Sequence, residues 1–352
     1  MKIRLYNSIV LIFFLFLFSS CNDNNDISPF HKLYSLTVAN DSCVYSTNNH
    51  AAFTSLIKFK GELYLAFREG PGHVPANKNE YGKIKIHKKV GNHWDYVCTL
   101  FNSEMDLRDP FFVIVGDSLK LYCGFNQFDS GDADYQQGGT AYAIFTEKGW
   151  SNFEIVKNDS PHVVWIWKLR EFKNHYYGIG YNELHKPILF SSIDGNNWKT
   201  VSELDVEGIM SEADLNFIGD SLYVCFRNDT RTGSPSYWGK SIYPFSQFDW
   251  RIMDKSIACP EIFCHPESHQ MWIAGREYIT DESGKVSKVI ISCNEVSANG
   301  DITNPLIIHE GEGWDMGYPS FLYEENKLML SYYYLIEKGT CVNVSSIVFN
   351  PF

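Results

Sequence analysis

Short runs in which apolar residues alternate with polar ones cover most of the chain, and each run stops at a turn rich in Gly, Asn, Asp or Ser. A period of two predicts half-buried β-strands, and no segment carries the 3.6-residue apolar period of a long amphipathic helix. The expected class is all-β. One strand type recurs: AFREGPGH from Ala66, YCGFNQFD from Tyr122, YGIGYNEL from Tyr177, VCFRNDTR from Val224, IAGREYIT from Ile273 and SYYYLIEK from Ser331. A repeat of roughly fifty residues built from short strands predicts a propeller of four-stranded blades around one axis. The blades are expected at 50–101, 107–157, 161–202, 209–254, 259–309 and 316–350. The segment from His31 to Val38 reads as a further strand that completes the last blade, giving a six-bladed β-propeller over 31–352 as a single domain. Inner strands converge on the axis, so Arg68, Asn126, Arg227, Arg276 and Tyr334 are candidates to meet in one central site.

The N-terminus changes the expected location. Lys2 and Arg4 precede an apolar core from Ile9 to Phe18, then Ser19, Ser20 and Cys21. That core is short for a membrane span and reads as a secretory signal over 1–20. Small residues before Cys21 resemble the lipobox of bacterial lipoproteins, with Phe18 in the place of the usual Leu. The resemblance implies a lipid on Cys21, an acidic tether over 21–30 and attachment to the outer membrane or cell surface, with a periplasm-facing position as second choice.

Net charge is −12, from 30 Lys+Arg against 42 Asp+Glu, which argues against nucleic acid as a partner. Aromatic residues make up 16% of the chain, enough to leave some for stacking on sugars. Of 9 Cys, Cys98, Cys123, Cys225, Cys293 and Cys341 fall within apolar strand patterns and are expected as small buried hydrophobes. Cys259 and Cys264 are a candidate disulfide in an oxidising compartment. With no C-x-x-C pair and no His-x-x-x-His spacing, neither a metal nor a cofactor is expected.

Ser191-Ser192-Ile193-Asp194-Gly195-Asn196-Asn197-Trp198 resembles a shortened Asp-box, the S-x-D-x-G-x-x-W turn of sialidase-like propellers. Weaker echoes end in Trp94, Trp150 and Trp250. The box is a structural feature in which Asp and Gly make the turn and Trp packs between sheets. The run from Phe59 to Glu69 is similar to the second strand of the first sialidase blade, although His50 stands near the place of the family's first arginine. Ser211-Glu212-Ala213-Asp214 followed by Arg227, and Met316-Gly317-Tyr318-Pro319, resemble the segments that carry the family's base, a ligating arginine and the tyrosine nucleophile.

The resemblance implies Tyr318 as nucleophile and Glu212 as its base. A tyrosine suits a substrate with a carboxylate beside the reacting carbon, where an anionic nucleophile would be repelled. Phenol needs a neighbouring carboxylate to take its proton. The family's acid is an Asp in a loop of the first blade, but residues 69–94 contain no Asp, and the carboxylates and imidazoles there are Glu69, Glu80, His73, His87 and His93. His73 is therefore one candidate proton donor. Asp109, in the Arg108-Asp109-Pro110 string also found in five-bladed furanosidase-type hydrolases, is the other. Arg68, Arg108, Arg227 and Arg276, with His50, are candidate ligands for an anionic glycan. Arg108 is equally placed to fix a blade start through an ion pair. Trp165 and Trp167 form either a stacking platform or packing against the next blade. The expected activity is that of an envelope-anchored exo-glycosidase on an oligosaccharide or polysaccharide. A binding propeller without catalysis and a glycan lyase with His and Tyr as base and acid are the alternatives.

Overall fold

In the computed structural model, the described residues are 33–128, 135–161, 164–181, 186–283, 285–311 and 313–352. The expected signal segment, Cys21 and the tether lie outside them. Six small antiparallel sheets follow one another along the chain, and the helical content among the described residues is one short 3-10 turn, Lys78–Glu80. Each blade opens with its innermost strand: His50–Phe59, Asp106–Val115, Trp165–Phe172, Met210–Ile218, Ile257–Cys264 and Gly317–Glu324 in blades 1 to 6. Further strands then meander outward from it in sequence order, except that the outermost strand of blade 6 comes from the N-terminal side, Tyr34–Thr47, and a two-residue strand, Lys157–Asn158, adds parallel to the outer edge of blade 3. These starts agree with the expected boundaries to within a few residues. The architecture is an all-β, six-bladed propeller.

Alternation along the strands accounts for the core. Each interface between consecutive blades has its own apolar cluster: Ile84, Ile86, Leu107 and Leu121 between blades 1 and 2, for example, and Leu65, Phe67, Tyr333 and Val342 between blades 1 and 6. The second interface shows what the Asp-box does. Asp194 Oδ1 accepts from the backbone N–H groups of Asn196 (2.8 Å) and Asn197 (2.9 Å), and Trp198 Nε1 donates to the Gly195 carbonyl at 2.9 Å. Blade 2 then grips the turn, with Tyr122 Oη donating to Gly195 O at 2.8 Å and Lys120 Nζ to Asp194 O at 2.8 Å. The indole of Trp198 packs among Tyr122, Tyr142 and Phe190, between two sheets as expected.

The closing strand is longer than the sequence pattern suggests. Tyr34–Thr47 pairs antiparallel with the last strand, Thr340–Pro351, from Tyr34 opposite Pro351 to Thr47 opposite Thr340. Two expectations about cysteine change here. Cys341 is not a free thiol but is bridged to Cys43 of the closing strand, and Cys259 and Cys264 are both free. The physical reason lies in the register. Cys43 and Cys341 sit on adjacent paired strands with Cα atoms 6.1 Å apart, within disulfide reach.

Candidate active site

Every innermost strand breaks its register with its neighbour near its start. The slips fall between Ala52 and Ser55, Arg108 and Phe111, Trp167 and Leu169, Met210 and Ala213, Ala258 and Glu261, and Gly317 and Ser320. Five of these bulges contain a non-glycine residue with positive φ: Phe53 (61°), Asp109 (46°), Lys168 (40°), Cys259 (46°) and Tyr318 (50°). Glu212 lies in the sixth. Such backbone costs about 1–3 kcal/mol per residue and is concentrated where a fold must aim a side chain. The ring of bulges brings residues from six distant segments towards one centre.

Three of them form a connected unit. The Tyr318 hydroxyl donates a short hydrogen bond to Glu212 Oε1. The Cys259 backbone N–H donates to Glu212 Oε2 at 2.6 Å, and the Cys259 sulfur accepts from the Tyr318 backbone N–H at 3.0 Å. Arg227 Nη1 donates to Glu212 Oε1 at 2.7 Å, while its Nε binds Asp229 Oδ1 at 2.7 Å. Asp229 in turn accepts from the Ser211 hydroxyl. Glu212 is buried, and Tyr318 is only partly so.

The electrostatics follow from this crowding. Burial pushes the Glu212 carboxyl up, but the charges of Arg227 and Arg276 and the Tyr318 hydrogen bond outweigh it and leave the group below its ordinary range. Burial, with the negative charges of Glu212 and Asp109, lifts the Tyr318 phenol well above its ordinary value. Burial also pushes Asp109 up to about 7; Arg108 opposes the rise and Glu212 adds to it. Asp109 Oδ1 has no hydrogen-bond partner.

The other expected residues divide in two. Trp167 is buried with its ring 6.2 Å from that of Tyr318, and Phe53 stands on another side of the same ring at 4.5 Å. Arg108 lies over Phe53 with its guanidinium 5.2 Å from the ring centre. Trp165 stacks on Trp167 at 6.3 Å and fills the space above Gly124, which is packing against the neighbouring blade. Arg68 is fully buried and committed to Asp106 (3.0 Å) and the Gly72 carbonyl (2.9 Å). Arg276 is buried too, with Nη1 donating to the carbonyls of Trp314 (3.0 Å) and Met316 (3.1 Å). Of the three strand-end arginines, Arg227 is the one with a partly exposed side chain. Asn126 lies near the end of its strand with Oδ1 unpartnered, and Tyr334, in the second strand of blade 6, stacks at 4.0 Å on His309 of the outermost strand of blade 5.

His50 and His73 belong to a second cluster. His50 Nε2 lies 2.8 Å from Asp315 Oδ2, His73 Nδ1 lies 3.2 Å from Asp315 Oδ1, and Tyr333 Oη donates to the same carboxylate at 2.6 Å. Asp315 and Tyr333 escaped the sequence reading, as did Cys259 and Asp229. Asp315 immediately precedes the Met316-Gly317-Tyr318 segment, but no motif marks it as a site residue. A cavity of about 470 Å³ opens elsewhere, between blades 1 and 6, lined by residues such as Asn40, Trp94 and Lys327 and by none of these groups.

No family model matches the sequence, and no curated protein does. Solved structures share the fold. Trypanosoma rangeli sialidase in complex with 2,3-difluorosialic acid, described as a covalent intermediate, superposes with a TM-score of 0.62 at 11% identity over 90% of this chain. This chain spans 59% of that sialidase. A mutant of the NanB sialidase from Streptococcus pneumoniae gives 0.60 at 9% identity, covering 91% of this chain and 70% of its own. The exo-β-1,3-galactanase 1,3Gal43A from Clostridium thermocellum gives 0.53 at 11%, covering 76% and 65%. The likeness is one of fold: this chain shares the propeller architecture of these structures.

Proposed function

We propose that the chain is a glycoside hydrolase that cleaves by double displacement, with Tyr318 as nucleophile, Glu212 as its base and Asp109 as proton donor. The observation that carries this reading is the hydrogen bond from the Tyr318 hydroxyl to a buried carboxylate pinned by Arg227 and Cys259. At rest the proton stays on the phenol, because the neighbours stabilise the Glu212 carboxylate while burial disfavours tyrosinate. Transfer to Glu212 therefore accompanies attack. As the Tyr318 oxygen bonds to the anomeric carbon, the glycosidic bond breaks and the departing oxygen takes the proton of Asp109. Asp109 is suited to this because its raised value keeps it protonated up to about pH 7. In the second step Asp109 removes a proton from water, which attacks the same carbon, and Tyr318 leaves and recovers its proton from Glu212. His73, expected as an alternative donor, is engaged by Asp315 and is the weaker candidate.

The substrate proposed is a glycan rather than a free small acid, in line with the structural neighbours named for sialidase and galactanase activity. Arg227 is the arginine placed to meet an anionic group on it. Attachment to the bacterial envelope through Cys21 is part of the proposal; the Cys43–Cys341 bridge supports an oxidising compartment. Tyr318→Phe should lower turnover of the best substrate in a panel of sialosides, uronides and neutral glycosides by at least about a hundredfold with unchanged circular dichroism. Full turnover in that variant would end the nucleophile assignment. Binding without release of sugar by the wild type would indicate a recognition module, and a new ultraviolet-absorbing double bond a lyase.

A further inference from the structure

The cluster of His50, His73, Asp315 and Tyr333 is not used by the hydrolysis just described. Its members come from four parts of the chain: the first residue of the blade 1 inner strand, the loop after the second strand of that blade, the segment leading into blade 6, and the second strand of blade 6. His50 and Asp315 are buried, whereas the His73 side chain is 28% exposed, so the group has a closed floor and one side open to solvent. One ligating atom from each of the three lies within 4.8 Å of the others. In a tetrahedral site with metal bonds near 2.0–2.1 Å, ligand atoms sit about 3.3 Å apart. Measured to the one oxygen Asp315 Oδ2, His50 Nε2 lies at 2.8 Å and His73 Nδ1 at 3.3 Å, close to that spacing.

We propose that His50, His73 and Asp315 form a zinc site, with Asp315 as the carboxylate ligand, His50 Nε2 and His73 Nδ1 as the imidazole ligands, and the fourth position facing solvent. Two imidazoles and one carboxylate favour zinc over calcium or magnesium, which prefer all-oxygen sets. Tyr333 supports the site by donating to Asp315 Oδ1 and fixing the carboxylate. Support is incomplete at His50, whose Nδ1 is buried without a partner. Affinity is therefore expected to be about 10–100-fold weaker than in a fully supported site of the same ligands. The proposal departs from the expectation of no metal, which rested on sequence spacing alone. His50 and His73 are 23 residues apart and Asp315 lies at the other end of the chain, so no local motif reveals them.

The open position points to a role in holding substrate. The Phe53 ring lies between the two centres, 5.5 Å from His73 and 4.5 Å from Tyr318. A zinc ion here would bind an oxygen of a glycan seated at Tyr318. This last role rests on the hydrolase reading; the metal site itself does not.

The test uses the whole mature protein after dialysis against chelator. Zinc titrated calorimetrically should bind at one equivalent, and cobalt in its place should give the visible absorption of a four-coordinate nitrogen and oxygen site. His73→Ala, a loop substitution that leaves the inner strands intact, should weaken binding by more than about 100-fold, and Tyr333→Phe by about 10–100-fold. Absence of saturable zinc binding by the wild type would overturn the site. So would unchanged affinity in folded His73→Ala, or a thiolate-to-cobalt charge-transfer band showing that free cysteines hold the ion. Loss of turnover in Tyr318→Phe with zinc binding intact would separate failure of one proposal from failure of the other.

Discussion

Asp109 is where a single residue says most about chemistry. Its carboxyl is buried at a bulge with φ of 46°, and one oxygen is unpartnered. A group raised from 3.8 to about 7 is protonated in the folded protein over a range in which the unfolded chain has already lost its proton. Its contribution to stability is thus fully present below pH 3.8 and is lost as pH rises through about 7, a decline of up to about 4 kcal/mol. Asn tolerates the left-handed backbone and carries no charge. Asp109→Asn is expected to match the wild type in urea midpoint near pH 4 and to exceed it at pH 8. The same substitution should lower turnover of alkyl glycosides by about 10²–10⁴-fold while sparing nitrophenyl glycosides, whose leaving group needs no proton. Wild-type activity should fall above about pH 7 and again at low pH as Glu212 takes up a proton. A stability gain equal at both pH values would show that Asp109 is not protonated in the folded state.

Elements decide which of two neighbouring residues reaches the centre. The alternating pattern was enough to locate every second strand and to name a polar or aromatic residue near the end of five of them, yet in blade 6 it pointed to Tyr334, while Tyr333 is the one bonded to Asp315. A shift of one residue exchanges the two faces of a strand, and three consecutive tyrosines carry no alternation to fix the choice. The bulges were equally hidden, because each depends on pairing with a second strand. Tyr318, Glu212 and Arg227 were legible since they occur in runs resembling a known family; Cys259 and Asp315 had no such run. The site wall has an element-scale dependence that can be measured. A Cβ at Gly124, in the second strand of blade 2, would fall 1.9 Å from Trp165, which stacks on Trp167. Gly124→Ala should destabilise by about 1–3 kcal/mol through overpacking. In a double-mutant cycle with Trp165→Ala, the penalty should disappear. Additive effects would mean that the indole is not confined by that glycine.

At the scale of the whole molecule, the propeller is a ring whose seam lies in blade 6. Neighbouring blades are stitched near the axis by side chains: Ser55 Oγ accepts from Phe112 N at 3.0 Å, Asp214 Oδ2 from Ile262 N at 2.6 Å and from Arg170 at 3.0 Å, and Ser320 Oγ from Leu56 N at 3.1 Å. Because Tyr318 and Glu212 belong to different blades, their contact depends on every joint holding, including the seam. The closing strand is held there by its backbone ladder and by Asp41, whose carboxylate accepts from Tyr332 (3.0 Å), Asn343 (2.8 Å) and Ser345 (2.5 Å). The Cys43–Cys341 bridge adds a covalent tie across a sequence separation of 298 residues. A loop of that length gives about 6 kcal/mol in the chain-entropy description, an upper figure for real proteins. With the ladder and Asp41 still in place, Cys43→Ser should remain a closed, folded ring at 25 °C but unfold at a clearly lower urea concentration. Reductant should bring the wild type down to the midpoint of the variant and leave the variant unchanged. If wild type and variant unfolded at the same midpoint with and without reductant, the ring would owe its closure to the hydrogen-bonded strand alone, and the bridge would contribute nothing to holding Tyr318 against Glu212.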